Sequence, residues 1–439
     1  MVNGKVKLNA IWGILGNLSS SAANFIVFIV IARFLGATEF GSFAYVFAIA
    51  TLFSMMGQAG LDGLLSRELI EKEEEQLEIL GTAGLLRFIG YIFGMLLTII
   101  YAYVIPSHTD LEINMFLVAS VFVFINFFVA IPENWLKSMG QAQIAAKSRI
   151  WSNFIGSLLK ILFVIMGAGA LVLSLIHLLS LVLTSILMYK CYVNFGGPKI
   201  KKWNFSYIRM KFLLSESWRL FLSAILWVVY MRIDLAILRY MSGPEAVANY
   251  SIATRFAEVT YALPSAIIIA FFPAMLAARE KGVEVYKATL FDILHILSFL
   301  GFLSSLVLIV FSYFGIVFFF GNQYSSAVNI TIIYMLSTPL FFIHYLVARW
   351  ILIERLTLFG LLNDLAGVFI KGLLSIVFIS YMGASGAALS TIISYSILAC
   401  LSLFLLKNGR YLAIMILLSL IRPWKGFFIL HKKFIKKRG

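Results

Sequence analysis

Runs of about twenty mostly apolar residues recur along this chain, and no other feature limits its fold so strongly. A helix of that length crosses the roughly 30 Å hydrocarbon layer of a bilayer with its backbone groups satisfied. Twelve such runs are read at residues 9–33, 40–63, 82–104, 113–136, 150–166, 169–189, 213–239, 246–270, 289–319, 327–352, 358–381 and 384–406. They leave little else in a chain of 439 residues that is 62% hydrophobic and 13% charged. A soluble domain is about one quarter charged. That excludes a disordered chain, a secreted disulfide scaffold, a Rossmann-type enzyme and a soluble nucleic-acid binder. The first run is too long for a cleavable signal peptide and is expected to stay as a helix. Cys191 and Cys400 stand too far apart to suggest a disulfide framework or a metal site.

The net charge of +15 is read first as orientation. With the N-terminus placed inside, twelve crossings put 26 of the 35 Lys and Arg on the cytoplasmic side. The outer connections 106–112, 241–245 and 321–325 hold none. The expected architecture is therefore an all-α integral membrane protein with twelve transmembrane helices and both termini cytoplasmic. Three inner segments are longer: an acidic stretch at 66–80, expected to lie as a helix on the cytoplasmic surface, a basic linker at 196–211, and a tail from 407. The tail carries a short apolar run at 411–421, too short to span and expected in the interface, before the cluster HKKFIKKRG. These basic clusters serve as topology signals or bind anionic lipid headgroups.

The linker at the midpoint separates two halves that echo each other. Arg33 and Glu39 close the first helix as Arg239 and Glu245 close the seventh. Gly156–Lys160 of the fifth helix matches Gly367–Lys371 of the eleventh, each followed by Met-Gly-Ala at Met166 and Met382. Six helices per half give parallel repeats about an axis along the membrane normal, an arrangement that transporters use for alternating access. The expected domains are 1–195 and 212–406, each a six-helix bundle, joined by the linker 196–211 and followed by the basic tail 407–439.

Residues 32–48 (ARFLGATEFGSFAYVFA) and 232–254 (RIDLAILRYMSGPEAVANYSIAT) resemble the signature of polysaccharide and lipid-linked oligosaccharide flippases. So does the turn MGASGAALS at 382–390. The chain is similar, over roughly residues 5–406, to the multidrug/oligosaccharidyl-lipid/polysaccharide exporter superfamily and specifically to its Wzx-type branch. The resemblance implies a MATE-like fold of two pseudo-symmetric bundles and a cavity lined with cations for an anionic substrate.

Charges inside a bilayer usually face a cavity or a partner. Lys160, Arg255 and Lys371 lie well inside their helices, and Arg232 lies less than two turns from the outer end of the seventh. Arg87, Arg219 and Arg349 are nearer the inner ends, where their stems are long enough to snorkel. These seven are the candidate cationic lining for a polyprenyl diphosphate carrying sugars, with the duplicated Lys160 and Lys371 expected to face each other across the pseudo-twofold axis. The local alternatives are pairing of Lys371 with Asp364 and of Arg255 with Glu258. Candidates for H+ or Na+ coupling are Asp234, Glu258 and Asp364, followed by Asp292 with His295 one turn away. His177 and His344 are expected to pack or to bond a backbone carbonyl. Phe runs such as 318–320 and 341–342 are expected to face lipid or the interface, while Trp218, Trp227, Tyr230 and Tyr261 are candidates for contact with sugar rings.

No Walker-type loop, metal-ligand cluster or nucleophile motif is present, so no cofactor, ATP hydrolysis or enzymatic activity is expected. The expected function is translocation of an undecaprenyl-diphosphate-linked oligosaccharide for O-antigen, capsule or exopolysaccharide, in the cytoplasmic membrane, beside membrane lipids and other glycan-assembly proteins. Nucleic acid is not an expected partner. The alternatives are a multidrug extruder, which would favour embedded carboxylates, and less favourably a membrane glycan polymerase or ligase working in an outer loop. A lipid-linked peptidoglycan precursor flippase would usually carry two further helices.

Overall fold

The computed structural model describes residues 25–429, and among them every regular element is a helix. The described part of α1 is Phe25–Leu35; the rest of the first expected span, and the HKKFIKKRG cluster, lie outside the described residues. The second to sixth expected spans fall on α2 (Ala37–Gln58), α4 (Gln76–Val104), α5 (Asp110–Ser138), α6 (Ala142–Ile165) and α7 (Ala170–Asn194). Between α2 and α4 lies the short α3 (Asp62–Glu71). The seventh and eighth fall on α8 (Tyr207–Thr260) and α9 (Ala262–Glu280), and the ninth on α10 (Val283–Phe320). The tenth is divided into α11 (Ser326–Met335) and α12 (Thr338–Ile353), and α13 (Thr357–Met382) and α14 (Ala384–Ala399) carry the last two. The tail run forms α15 (Arg410–Ile421). Among the described residues nine helical runs are long and apolar enough to cross a membrane, ten if the bent pair α11–α12 counts as one.

Two expected spans are broken, and proline explains both. The eighth is interrupted at Tyr261, before Pro264 in the first turn of α9; the tenth bends by 42° ahead of Pro339 in the first turn of α12. A proline donates no backbone hydrogen bond and crowds the carbonyl four residues back, so the preceding helix stops there. Two glycines near matching places in the sequence share one backbone conformation. Gly36, between α1 and α2, and Gly243, inside α8, both take φ 83° with an extended ψ, a region open essentially to glycine alone. Each turns the chain back on itself within one residue.

The chain divides into two compact units, residues 1–232 and 233–439. In the first, α2 and α4 come so close that a Cβ at Gly90 would lie 2.3 Å from the Met56 carbonyl, and one at Gly94 2.4 Å from that of Phe53. Small residues let apolar helices approach where no hydrophobic force separates them from lipid. Polar groups close the turns: Thr109 and Glu112 form a capping box at the start of α5, and Glu39 accepts the Ala170 N–H at 2.7 Å at the start of α7. In the second unit Ser298 of α10 bonds Ser419 of α15 at 2.9 Å, which fastens the tail helix.

The expected linker belongs to the first unit. Trp203 covers Gly84, the Asn204 N–H bonds the Leu77 carbonyl, and Arg209 reaches three carboxylates at once. Its Nη1 lies 3.0 Å from Glu68 and its Nε 2.8 Å from Glu78, while Nη2 bonds Glu75. The acidic stretch at 66–80 thus forms a dock for the linker rather than an independent surface helix. The division between units falls beyond it, inside α8. Hydrogen bonding and the charge of Arg209 hold the Glu78 carboxyl below its ordinary value. A depressed carboxylate stabilises above its unfolded value and loses that contribution as pH falls through the folded one.

Two outcomes follow. Gly243→Ala should cost about 1–3 kcal/mol through its forced φ, whereas Gly63→Ala, in open space within α3, should gain roughly 0.5–1 kcal/mol; thermal unfolding of the purified variants checks both. Trp203 fluorescence, isolated by difference from Trp203→Phe, should stay constant on acidification to the ordinary glutamate value of 4.5 and change below it. In Arg209→Ala the same tryptophan should report an undocked linker at neutral pH.

Candidate substrate and coupling site

Asp234 lies on α8 before the Gly243 break, and the reversal brings Tyr250 of the same helix back to it. The Tyr250 hydroxyl donates to Asp234 Oδ2 and lies 3.3 Å from Thr391 of α14. Lys371, near the middle of α13, places its Nζ 3.0 Å from the same oxygen. Both charged side chains are almost fully buried, 2% and 1% exposed. Lys371 therefore answers Asp234 and not Asp364, seven residues back on its own helix. Helix geometry offered Asp364, but the folding-back at Gly243 put a better-buried acid against the ammonium. Asp364 makes no ion pair among the described residues. Two ions removed from water need each other and further hydrogen bonds to be tolerated, and here the hydroxyl of Tyr250 supplies one.

The matching lysine of the first unit is built differently. Lys160 lies five residues before the end of α6 at Ile165, whereas Lys371 lies eleven before the end of α13 at Met382. It is thus nearer a helix end than its sequence context suggested. Its Nζ is 2.7 Å from Nδ1 of His177 on α7. His177 therefore neither packs passively nor bonds a carbonyl. Its ring sits among Phe47, Phe122 and Phe43, with centroids at 4.6, 4.8 and 6.4 Å. Lys160 makes no ion pair among the described residues, and the segment 1–24 contains no Asp or Glu.

The other candidates scatter. Arg87 is wholly buried on α4 and bonds Asp62, which also accepts from Asn134 at 2.8 Å; it does not snorkel. Glu133 is held by Lys137 at 2.7 Å and by Arg149. Arg255 pairs with Glu258 at 2.8 Å, the local alternative. Arg219 and Arg349 are exposed, the former over Trp218 at 5.3 Å. Arg232 and Asp292 are half-buried, and Arg232 closes the first unit. His295 bonds the Phe291 carbonyl at 2.9 Å.

The aromatic expectations divide. Phe318 is 72% exposed, but Phe320, Phe341 and Phe342 are buried in the second unit. Tyr261 stacks on Phe341 at 3.7 Å and Trp227 on Tyr230 at 6.1 Å, while Trp218 is exposed. In the connection between α4 and α5 His108 bonds Tyr45 at 3.0 Å, and Glu112 accepts from Ser42 at 3.0 Å besides capping α5. These groups are occupied in holding a turn. Among the described residues no group of three His, Cys, Asp or Glu is placed to hold a metal ion. A cavity of about 320 Å³ in the second unit, lined by Asn249, Ser326, Asn329 and Ser385, contains none of the expected charges.

Asp234→Asn should destabilise the protein by about 3–5 kcal/mol, because it strands the buried ammonium of Lys371. The double change Asp234→Leu with Lys371→Met should recover most of that loss. Thermal unfolding in detergent of the two single variants and the double checks the coupling.

No curated protein matches the chain. Among solved structures it is similar to an inward-facing multidrug resistance MATE transporter of the MOP superfamily, with TM-score 0.67, 15% identity, and 92% of this chain and 94% of that one covered. It is also similar to the lipid II flippase MurJ in an inward closed conformation, with TM-score 0.65, 18% identity, and 97% and 96% covered. A MOP superfamily transporter from Pyrococcus furiosus, described for the reverse polarity of its binding pocket, gives TM-score 0.57 at 16% identity, with 95% of each chain covered. The fold is thus the all-helical MATE and MurJ fold of multi-pass membrane proteins. A family model described as polysaccharide biosynthesis protein matches residues 6–279, more than half of the sequence, and the chain belongs to that family.

Proposed function

We propose that the chain is a flippase for a polyprenyl-diphosphate-linked oligosaccharide, undecaprenyl in the bacterial setting, serving O-antigen, capsule or exopolysaccharide assembly in the cytoplasmic membrane. The observation that carries the reading is Lys160: a lysine inside the apolar bundle whose hydrogen-bond partner is an imidazole and not a carboxylate. Such a group attracts an anion, and a diphosphate or an acidic sugar is the anion that a polysaccharide-biosynthesis protein meets. The resemblance in fold to the lipid II flippase supports movement of a lipid-linked headgroup while the polyprenyl tail stays in lipid. Alternating exposure of the two sides, the usual transporter cycle, supplies the path.

The multidrug reading has the MATE fold in its favour. A site for organic cations calls for unpaired carboxylates, and here Asp234 and Glu258 are bonded to Lys371 and Arg255 within their own unit. That pairing favours the glycan reading. It also moves Asp234 and Glu258 down as coupling groups and leaves Asp364, which makes no ion pair among the described residues, as the acid to examine first for H+ or Na+ dependence.

Proteoliposomes test the reading with a labelled lipid-linked oligosaccharide, with and without a proton or sodium gradient. Protein-dependent translocation is expected, and Lys160→Ala should lower it at least about tenfold, the equivalent of about 1.4 kcal/mol, while insertion is unchanged. Extrusion of a cationic dye without movement of any lipid-linked glycan would replace this reading with the multidrug one.

A further inference from the structure

The Lys160–His177 contact joins two groups that both become cations, 2.7 Å apart, among phenylalanine rings. Like charges at such a distance cannot both be held in a site without an anion, so the pair titrates as one unit. With Lys160 as the ammonium donor, Nδ1 of His177 is the acceptor and the ring's own proton is on Nε2.

Among the described residues no neighbouring group supplies the missing negative charge. On α2, Glu39 is engaged by the start of α7, and Tyr45 by Tyr101 and His108. On α5, Glu112 is bonded to Ser42 and Thr109, Glu133 is paired with Lys137 and Arg149, and Asp110 stands at the helix start. The remaining charges of α6 and α7, at Lys147, Arg149 and Lys190, belong to the opposite ends of those helices. Tyr189, Cys191 and Tyr192 share that end, Cys191 bonded to Ser148 and Tyr192 to the Pro198 carbonyl.

We propose that Lys160 and His177 form a proton-linked oxyanion site, holding a single proton beyond the neutral pair when empty and two when an oxyanion is bound. This deepens the flippase reading and rests on it: the oxyanion is the diphosphate or carboxylate of the transported lipid. On binding, a proton from solvent adds to Nδ1 of His177 and the Lys–His hydrogen bond opens. Both N–H groups then turn to the oxygens of the anion; on release the second proton leaves. No bond other than N–H is made or broken. Proton and anion thereby bind together and leave together, which ties the cargo's affinity to the pH of whichever side it faces.

Sulfate is the first probe, because it does not itself titrate near neutrality. Calorimetry in two buffers of different ionisation enthalpy counts the protons taken up by the purified full chain. About one proton per sulfate is expected, with affinity rising about tenfold for each pH unit of acidification. In His177→Gln, whose amide oxygen still accepts from Lys160, uptake should vanish and the pH dependence flatten. Wild-type binding without uptake, or equal uptake in His177→Gln, overturns the site. A parallel arm in nanodiscs separates cargo from membrane: uptake on adding phosphatidylglycerol to zwitterionic lipid would overturn the assignment to cargo. Translocation of a lipid-linked oligosaccharide by a protein that takes up no proton would discard the pair and keep the flippase; absence of translocation would discard the flippase itself.

Discussion

An ammonium ion and a carboxylate in contact, shut away from water, set the terms for the second unit. Lys371 and Asp234 tolerate burial because each is the counter-ion of the other and because Tyr250 adds a hydrogen bond. For Tyr250 to arrive there, α8 has to turn back, and Gly243 is the residue that permits it. For Lys371 to arrive, α13 has to lie against that turn, and Gly372 meets Ile233 at the same place. The reversal at Gly243 and the position of α13 are therefore both conditions for one ion pair.

The first unit carries a lysine in a matching sequence context and treats it otherwise. Among the described residues no acid meets Lys160; a histidine does, in a ring of phenylalanines. The duplicated motifs also sit at different distances from their helix ends, so equal sequence contexts do not place equal charges. Gly36 and Gly243 share φ 83° with an extended ψ, while the groups around Lys160 and Lys371 differ. A paired charge fixes a structure, whereas a charge without a counter-ion leaves room for a ligand.

Helices in this protein were legible from hydropathy because the bilayer selects for length and apolarity, which a single sequence displays. The breaks at Tyr261 and before Pro339 were legible in principle, since Pro264 and Pro339 are printed in the chain, yet an apolar run conceals them. Local pairs were equally accessible: Arg255 and Glu258 sit three apart and do pair. What sequence could not disclose were partners distant along the chain. Asp234 with Lys371, Arg87 with Asp62, and Arg209 with Glu68, Glu75 and Glu78 depend on the tertiary path. His177 stood in the sequence as a lone histidine on an apolar helix, and only the helix packing gives it a lysine.

The Arg209 clamp has a mechanical consequence. Because one guanidinium grips three acids of the first unit, tension applied through α8 reaches that unit directly at Arg209. Residues 197–206, themselves docked through Trp203, Asn204 and Ser206, are then relieved of part of the load. A chain opened by a protease in that stretch would still transmit force through the ionic contact. Within the first unit the linker thus shares its load with three carboxylates.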